Sequence, residues 1–328
     1  MPSDERIFVA GHKGLVGSAL TKKLSEVGHG ELVLRPREVL DLTERDQVID
    51  FFRSERPDAV ILAAAKVGGI LANMRTPVEF LESNLAIQMN VISAAAKYGV
   101  SKLIFLGSSC IYPRDCKQPI KEEYLLADTL EPTNRAYALA KIAGVELCNS
   151  YNRQYGTRFV SLMPTNLFGI GDNYSKEDSH VIPGLIRRVH EAKQKSLDSV
   201  TIWGTGTAKR EFLFSEDLAE ACIFVLTNIE LVQNHIQEEL SIPVLNVGSG
   251  QELSIREIAL TICKIVGFKG KLVFDHSKPD GTPRKRLDTK IMSELGWTAT
   301  TPFVSGLRIA YQDFCERYES ENGKSLGL

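Results

Sequence analysis

The sequence has no surplus of either charge. Its 39 Lys and Arg stand against 41 Asp and Glu, a net of −2 at pH 7. Without an overall basic field, nothing draws the chain to nucleic acid or to an anionic membrane, and any anion it binds must be held by a local site. Long apolar runs are missing too. The run from Ala59 to Ala65 stops at Lys66, far short of the roughly 18 residues of a membrane span. The start, Met1-Pro2-Ser3-Asp4-Glu5-Arg6, carries acids and leads into a very short apolar stretch, which does not suit a signal peptide. The cysteines at 110, 116, 148, 222, 263 and 315 include no CxxC pair, so a compact zinc or thioredoxin-like motif is disfavoured and no metal is expected. Free thiols in a cytoplasmic protein are the simplest reading. Repeats and low-complexity stretches are absent. What remains is an ordinary soluble composition, 43% hydrophobic and 24% charged over 328 residues, long enough for one large α/β domain or two joined lobes.

The first half alternates short β runs with helical patterns. Ile7–Ala10, Glu31–Leu34, Ala59–Leu62, Leu103–Leu106 and Phe159–Met163 read as strands. Between them, helices are expected from about Gly14 to Val27, after a Thr43 cap, from about Asn84 to Tyr98, and from Ala136 to Tyr155. Short, fully apolar strands separated by helices predict a parallel sheet covered on both faces, a doubly wound α/β fold of Rossmann type. After about Pro164 the pattern loosens. Asn173–Ser179 reads as loop, Val181–Lys195 as helix, Val200–Trp203 as strand, and Ser215 as the cap of another helix. Ser254-Ile255-Arg256-Glu257 is a capping box opening a helix to about Val266. Lys278–Lys285 is a basic loop rich in breakers. The expected division is residues 1–165 for a dinucleotide domain and 166–328 for a mainly substrate-binding α/β lobe, with some later segments returning to the sheet.

Gly11-His12-Lys13-Gly14-Leu15-Val16-Gly17 follows the first strand and opens the first helix. Glycines there let the backbone turn sharply and approach a pyrophosphate at the helix N-terminus. The motif alone also describes a plain tight turn; its place in a strand–turn–helix favours the cofactor. The second strand runs into Leu34-Arg35-Pro36-Arg37, which offers two guanidinium groups where NAD enzymes usually place an acid. With Lys13 close by, this points to NADPH. Ser108 lies just past the fourth strand, where such sheets bind ligands. Tyr137 and Lys141, four apart, share a helix face, and a nearby ammonium is expected to lower the phenol's pKa.

The glycine loop, Ser108 and the Tyr137–Lys141 pair resemble, over essentially the whole chain, the extended short-chain dehydrogenase/reductase family. The strings Ala63–Ile70, Gly107–Pro113, Pro164–Gly169, Ser179–Pro183, Arg210–Leu213 and Lys278–Lys285 are similar to its GDP-L-fucose synthase branch. That branch epimerises C3 and C5 of GDP-4-keto-6-deoxy-D-mannose and then reduces C4 with NADPH. The resemblance implies Ser108, Cys110, Tyr137, Lys141 and His180 as catalytic, with Cys110 and His180 as the epimerisation pair. By themselves, Cys110 reads more often as a small buried hydrophobe and His180 as a loop histidine. Cofactor contacts are implied for Gly11, His12, Lys13, Gly14, Leu15, Val16, Gly17, Arg37, Leu106, Gly107, Ser108, Lys141, Pro164, Thr165, Asn166, Leu167 and His180. Substrate contacts are implied for Arg188, Trp203, Arg210 and Asp280. A homodimer through helices 84–98 and 136–155 is also implied. Two rival readings stay open: a related enzyme for another GDP-4-keto sugar, and a non-catalytic NADP-binding sensor.

Overall fold

A computed structural model describes residues 5–323 except 29, 177–178, 240–242, 279 and 281. Parts of the expected loops 173–179 and 278–285, and the first four residues, therefore lie outside the described residues. The first half runs β1 (Arg6–Ala10), α1 (Leu15–Glu26), β2 (Glu31–Val33), α2 (Arg45–Glu55), β3 (Ala59–Leu62), α3 (Ile70–Arg75), α4 (Pro77–Lys97), β4 (Lys102–Leu106), α5 (Arg135–Tyr155) and β5 (Phe159–Pro164). The second half runs β6 (Asn166–Phe168), α6 (Val181–Gln194), β7 (Ser199–Trp203), β8 (Lys209–Phe214), α7 (Ser215–Thr227), α8 (Ile229–Glu239), β9 (Val244–Val247), β10 (Glu252–Ser254), α9 (Ile255–Val266), β11 (Lys271–Asp275), β12 (Arg284–Lys285), α10 (Lys290–Glu294) and α11 (Phe303–Gly323).

Six strands form one sheet in the order β2-β1-β3-β4-β5-β9, every pair parallel. The strand order reverses between β1 and β3, so the crevice at their carboxyl ends is the expected ligand site. Side-chain alternation gives the sheet two apolar faces. Phe8, Val60, Leu103 and Phe105 meet Phe52 of α2, Ile92 of α4 and Val145 of α5. Ile7, Val9, Ile61 and Ile104 meet Leu20 of α1, Leu218 and Val225 of α7, and Val232 of α8. A third core, around Phe168, Leu185, Ile186, Phe212, Ile258 and Phe314, holds the smaller lobe. There β8 pairs with β6, β10 and β12, and β7 pairs with β11. The later half thus supplies a sheet strand, β9, which pairs with β5 and becomes the edge of the sheet, together with covering helices.

Several local expectations fail for identifiable reasons. Thr43 does not cap α2. Its hydroxyl and amide both bond Asp41 Oδ1, at 2.7 and 3.0 Å, and Glu44 is the N-cap. Helix α4 begins seven residues before Asn84, because Pro77 supplies a helical first position. Ser215 is the first residue inside α7, not its cap, and its hydroxyl is buried without a partner. The capping box does form, with Ser254 N–H donating to Glu257 Oε2 at 2.8 Å and Glu257 N–H to Ser254 Oγ at 3.2 Å.

Helix α5 lies close against α4 and β4 at Gly144. A methyl there would run into the Phe105 ring and come within 2.8 Å of Gln88 Oε1. Both neighbours are buried, so neither can give way cheaply. Gly144→Ala should lower stability by about 1–3 kcal/mol through overpacking, read as a lower urea midpoint. An unchanged midpoint would show that the contact relaxes freely.

Candidate active site

The site grows from the end of β4. Gly107 follows Leu106, and its N–H donates to Leu162 O at 2.9 Å. Ser108 then caps a single 3-10 turn, Ser109–Ile111, its Oγ accepting from Cys110 N–H at 3.3 Å. That turn tucks Cys110 into a buried position. From the other side, α5 lays Tyr137 and Lys141 over the strand end. Lys141 Nζ donates to Leu106 O at 2.8 Å. It sits 4.9 Å from the centre of the Phe105 ring and 5.8 Å from that of Tyr137. Phe80 of α4 meets the Tyr137 ring edge-on at 6.2 Å.

Burial controls the electrostatics. The Lys141 ammonium is pulled down to about 8, because 3% exposure leaves it almost no water. Burial likewise pushes the Cys110 thiol up. Lys285, a hydrogen bond with Ser108 and Lys141 pull it back. Tyr137 departs from expectation. Burial, and secondly the charge of a Cys110 thiolate, push its phenol up rather than down. Tyr137 is therefore a protonated donor at neutral pH. Lys285 was not singled out from the sequence, where it is one more cation in a basic loop. In the fold, β12 sets it beside Arg210 in register, and burial lowers its pKa while the Cys110 charge raises it.

The glycine loop is built for close approach. Gly11 has φ +85°, and a Cβ there would come within 2.8 Å of the Ala64 backbone. A Cβ on Gly17 would strike the Gly11 carbonyl. Beyond Gly14 there is only the Gly11 oxygen, 3.4 Å from where a Cβ would sit, so a side chain would fill the space a phosphate needs. The first turn of α1, which includes Leu15 and Val16, has neither a side-chain cap nor an acid. His12 Nδ1 is buried without a partner, and burial lowers its pKa. The orphaned ring nitrogen, the uncapped amides and the open glycine face fit a dinucleotide. The turn after β2 is richer in acids than expected. Arg35 pairs with Glu55, Arg37 Nε with Asp41 at 3.1 Å, and Lys13 with Glu38 at 3.6 Å. Arg37 and Lys13, with side chains 79% and 69% exposed, keep most of their surface open to solvent.

Pro164 ends β5. Thr165 N–H donates to Val247 O at 3.0 Å, and its hydroxyl to Glu211 O at 3.2 Å. Asn166 Nδ2 donates to the same oxygen at 3.0 Å, and Leu167 packs against the second sheet face. His180 is the N-cap of α6 and is exposed, although the neighbouring protein removes enough water from its ring to lower its pKa. Arg188 of α6 reaches β7, donating to Thr201 O at 3.2 Å, and Trp203, 53% exposed, ends that strand. Arg210 donates to Asp280 O at 3.3 Å. Both Asp280 carboxylate oxygens are taken by Thr205, at 2.7 and 2.9 Å. That carboxylate therefore fixes its loop to the end of β7. Ser108, Cys110, Tyr137 and Lys141 are thus brought together at β4, while Arg188, Trp203, Arg210 and Asp280 cluster around β7 and β8. Among the described residues no group of His, Cys, Asp and Glu is arranged to hold a metal, and no helix is long and apolar enough to cross a membrane.

A family model for the NAD dependent epimerase/dehydratase family matches residues 7–246. The chain belongs to this family. Within it, the chain is 51% identical over 324 residues to GDP-L-fucose synthase of Escherichia coli, covering 98% of this chain and all of that one. Among solved structures it resembles a GDP-6-OMe-4-keto-L-xylo-heptose reductase from C. jejuni, with TM-score 0.90, 36% identity, and 97% and 99% of the two chains covered. It also resembles a GDP-L-fucose synthetase from Naegleria fowleri bound to NADP, with TM-score 0.85, 30% identity, and 98% and 97% covered.

In this epimerase-family fold Lys141 is a buried cation without an ion pair among the described residues, and its removal should show in stability. Folded, it titrates near 8, against an ordinary 10.5. Between those values the unfolded chain holds the extra proton, so stability rises with pH there, and below about 8 the charge exacts its full cost. Lys141→Met should therefore stabilise the cofactor-free protein by about 2 kcal/mol at pH 7, with the gain fading toward pH 10. Urea unfolding at several pH values measures this. A loss of stability at pH 7 would contradict it.

Proposed function

We propose that the chain is a bifunctional epimerase/reductase that converts GDP-4-keto-6-deoxy-D-mannose to GDP-L-fucose. It would epimerise C3 and C5 and then reduce C4 with NADPH. The carrying observation is that one strand end gathers a thiol beside two ammonium groups and a phenol held protonated. The relatives named for GDP-L-fucose synthesis and the NADP-bound neighbour support the same reading. Residues 1–165 are assigned chiefly to the cofactor and 166–328 chiefly to the substrate, with β9 and α7 returning to the sheet.

The residues divide the labour by environment. Removal of a proton beside the ketone needs a base and a stabilised enolate oxygen. Cys110 takes that proton, its thiolate supported by Lys285 and Lys141. His180, exposed to solvent, returns one from the opposite face. The Ser108 hydroxyl and the Tyr137 phenol donate hydrogen bonds to the C4 oxygen. NADPH, when bound, supplies the hydride to C4. Tyr137 then gives its proton to the C4 oxygen, and the phenolate left behind faces the Lys141 ammonium. Gly11, Gly14 and Gly17 would seat the pyrophosphate, and Arg37 the 2′-phosphate. Arg188 and Arg210 would hold the substrate diphosphate, with Trp203 stacking beside it. Six unpaired cysteines suit the cytoplasm, the compartment we assign.

A homodimer is proposed through α4 and α5. These helices leave Val78, Met89 and Leu139 exposed, and pairing them across a two-fold axis would give a four-helix bundle. Ultracentrifugation at assay concentration should find a dimer. A single monomer-sized species would refute it.

The two halves of the chemistry should fail separately. In D₂O with NADP⁺ bound, Tyr137→Phe should still exchange deuterium beside the ketone, yet with NADPH reduce C4 at least about a hundredfold more slowly. Cys110→Ala should lose most of the exchange, and any residual reduction should act on un-epimerised sugar. NMR and mass shift of the product read both. Wild-type exchange at both carbons in Cys110→Ala removes Cys110 as the base. Reduction by the wild-type protein without any deuterium uptake would instead favour a 4-keto reductase like the C. jejuni neighbour.

A further inference from the structure

Glu211 is a carboxylate with no exposure at all. It lies in β8, next to Arg210, where four segments converge. Its Oε1 accepts from Gly250 N–H at 2.7 Å, just beyond β9, and its Oε2 from Leu287 N–H at 2.8 Å, just beyond β12. Its backbone oxygen receives Thr165 and Asn166. A Cβ on Gly248 would collide with the carboxylate, so the loop after β9 is wrapped tightly around it. Burial raises its pKa, and the two amides and nearby Arg286 oppose that. A carboxylate bridging two backbone amides in a dry joint makes charge-assisted bonds that a neutral group cannot replace.

The segment so held contains Lys285. Strand β12 sets Lys285 against Arg210, Arg286 O accepts from Ile120 N–H at 2.7 Å, and Leu287 is tied to Glu211. We infer that Glu211 is a positioning residue for epimerisation: its carboxylate clamps the β12 segment so that the Lys285 ammonium faces Cys110. This rests on the preceding reading for the substrate, but not for the placement of Lys285. With no exposed surface of its own to offer a ligand, Glu211 acts through Lys285, a cation that favours the Cys110 thiolate. Among the described residues Lys141 also favours that thiolate, Tyr137 feels its charge, and Arg210, Cys116 and Glu131 act on Lys285 itself.

Glu211→Gln keeps the shape but must turn an NH₂ toward one of the two amides. The test is the pH profile of iodoacetamide alkylation at Cys110, read by peptide mass spectrometry with Cys315 as internal reference. The Glu211→Gln midpoint should rise by about half a pH unit or more. Deuterium exchange beside the ketone should fall at least about tenfold, while NADPH affinity stays within about threefold. In a Lys285→Met background, Glu211→Gln should add no further shift, because the group it positions is gone. A wild-type alkylation profile in folded Glu211→Gln, or shifts that simply add in the double variant, overturns the proposal. Should Glu211→Gln not fold, Glu211→Asp, too short to reach both amides, carries the same expectation, and an unshifted profile there overturns it too. A wild-type protein that exchanges no deuterium would count against the substrate reading alone, since the alkylation profile needs no substrate.

Discussion

Lys141 carries an ammonium ion into a pocket that water barely reaches, with a backbone carbonyl and two aromatic rings for company. Such a charge is costly to bury without a carboxylate, and the surroundings are arranged to tolerate it. Helix α5 must cross the end of β4 closely enough for Nζ to reach Leu106 O, and Gly144 permits that approach. Once α5 is so placed, Tyr137 hangs one turn away over the turn that holds Ser108 and Cys110. The cluster at the strand end follows from where this one cation had to go.

Under the proposed mechanism two proton transfers share the pocket, and local surroundings separate them. Cys110 has Lys285 and Lys141 to offset the penalty of burial on its thiolate. Tyr137 is held as a phenol by burial and by any charge on Cys110, which suits a group that must give up a proton only when an alkoxide develops beside it. The later half of the chain builds part of the pocket's surroundings. It supplies β9 to extend the sheet, α7 to cover it, and β12 to bring Lys285 in.

Much of the first half was legible from local pattern. Ile7–Ala10, Ala59–Leu62 and Leu103–Leu106 are runs too short and too uniformly apolar for anything but central parallel strands. Gly11 and Gly17 announced the turn between β1 and α1, and the four-residue spacing of Tyr137 and Lys141 announced their shared face. The misses lie where tertiary contact decides. Strands β6, β8 and β9 are three to six residues long and carry no periodicity of their own. The helix start at Pro77 was hidden by the polar residues before Asn84. Thr43 looked like a cap because its nearer partner, Asp41, cannot be read as a partner from spacing alone. The phenol's pKa moves up rather than down: a neighbouring ammonium is visible in sequence, whereas the degree of burial that outweighs it is not. Lys285 and Glu211 matter only through distant segments that the fold brings together.

The pocket itself keeps Tyr137 neutral beside a buried Lys141 that has no ion pair among the described residues. Protein labelled with ¹³C at the tyrosine ζ carbon, with the Tyr137 resonance assigned by loss in Tyr137→Phe, reports that state directly in a pH titration of the cofactor-free protein. The phenol shift should persist past the ordinary tyrosine value of 10.0. Ionisation of Tyr137 with a midpoint near neutrality would contradict it.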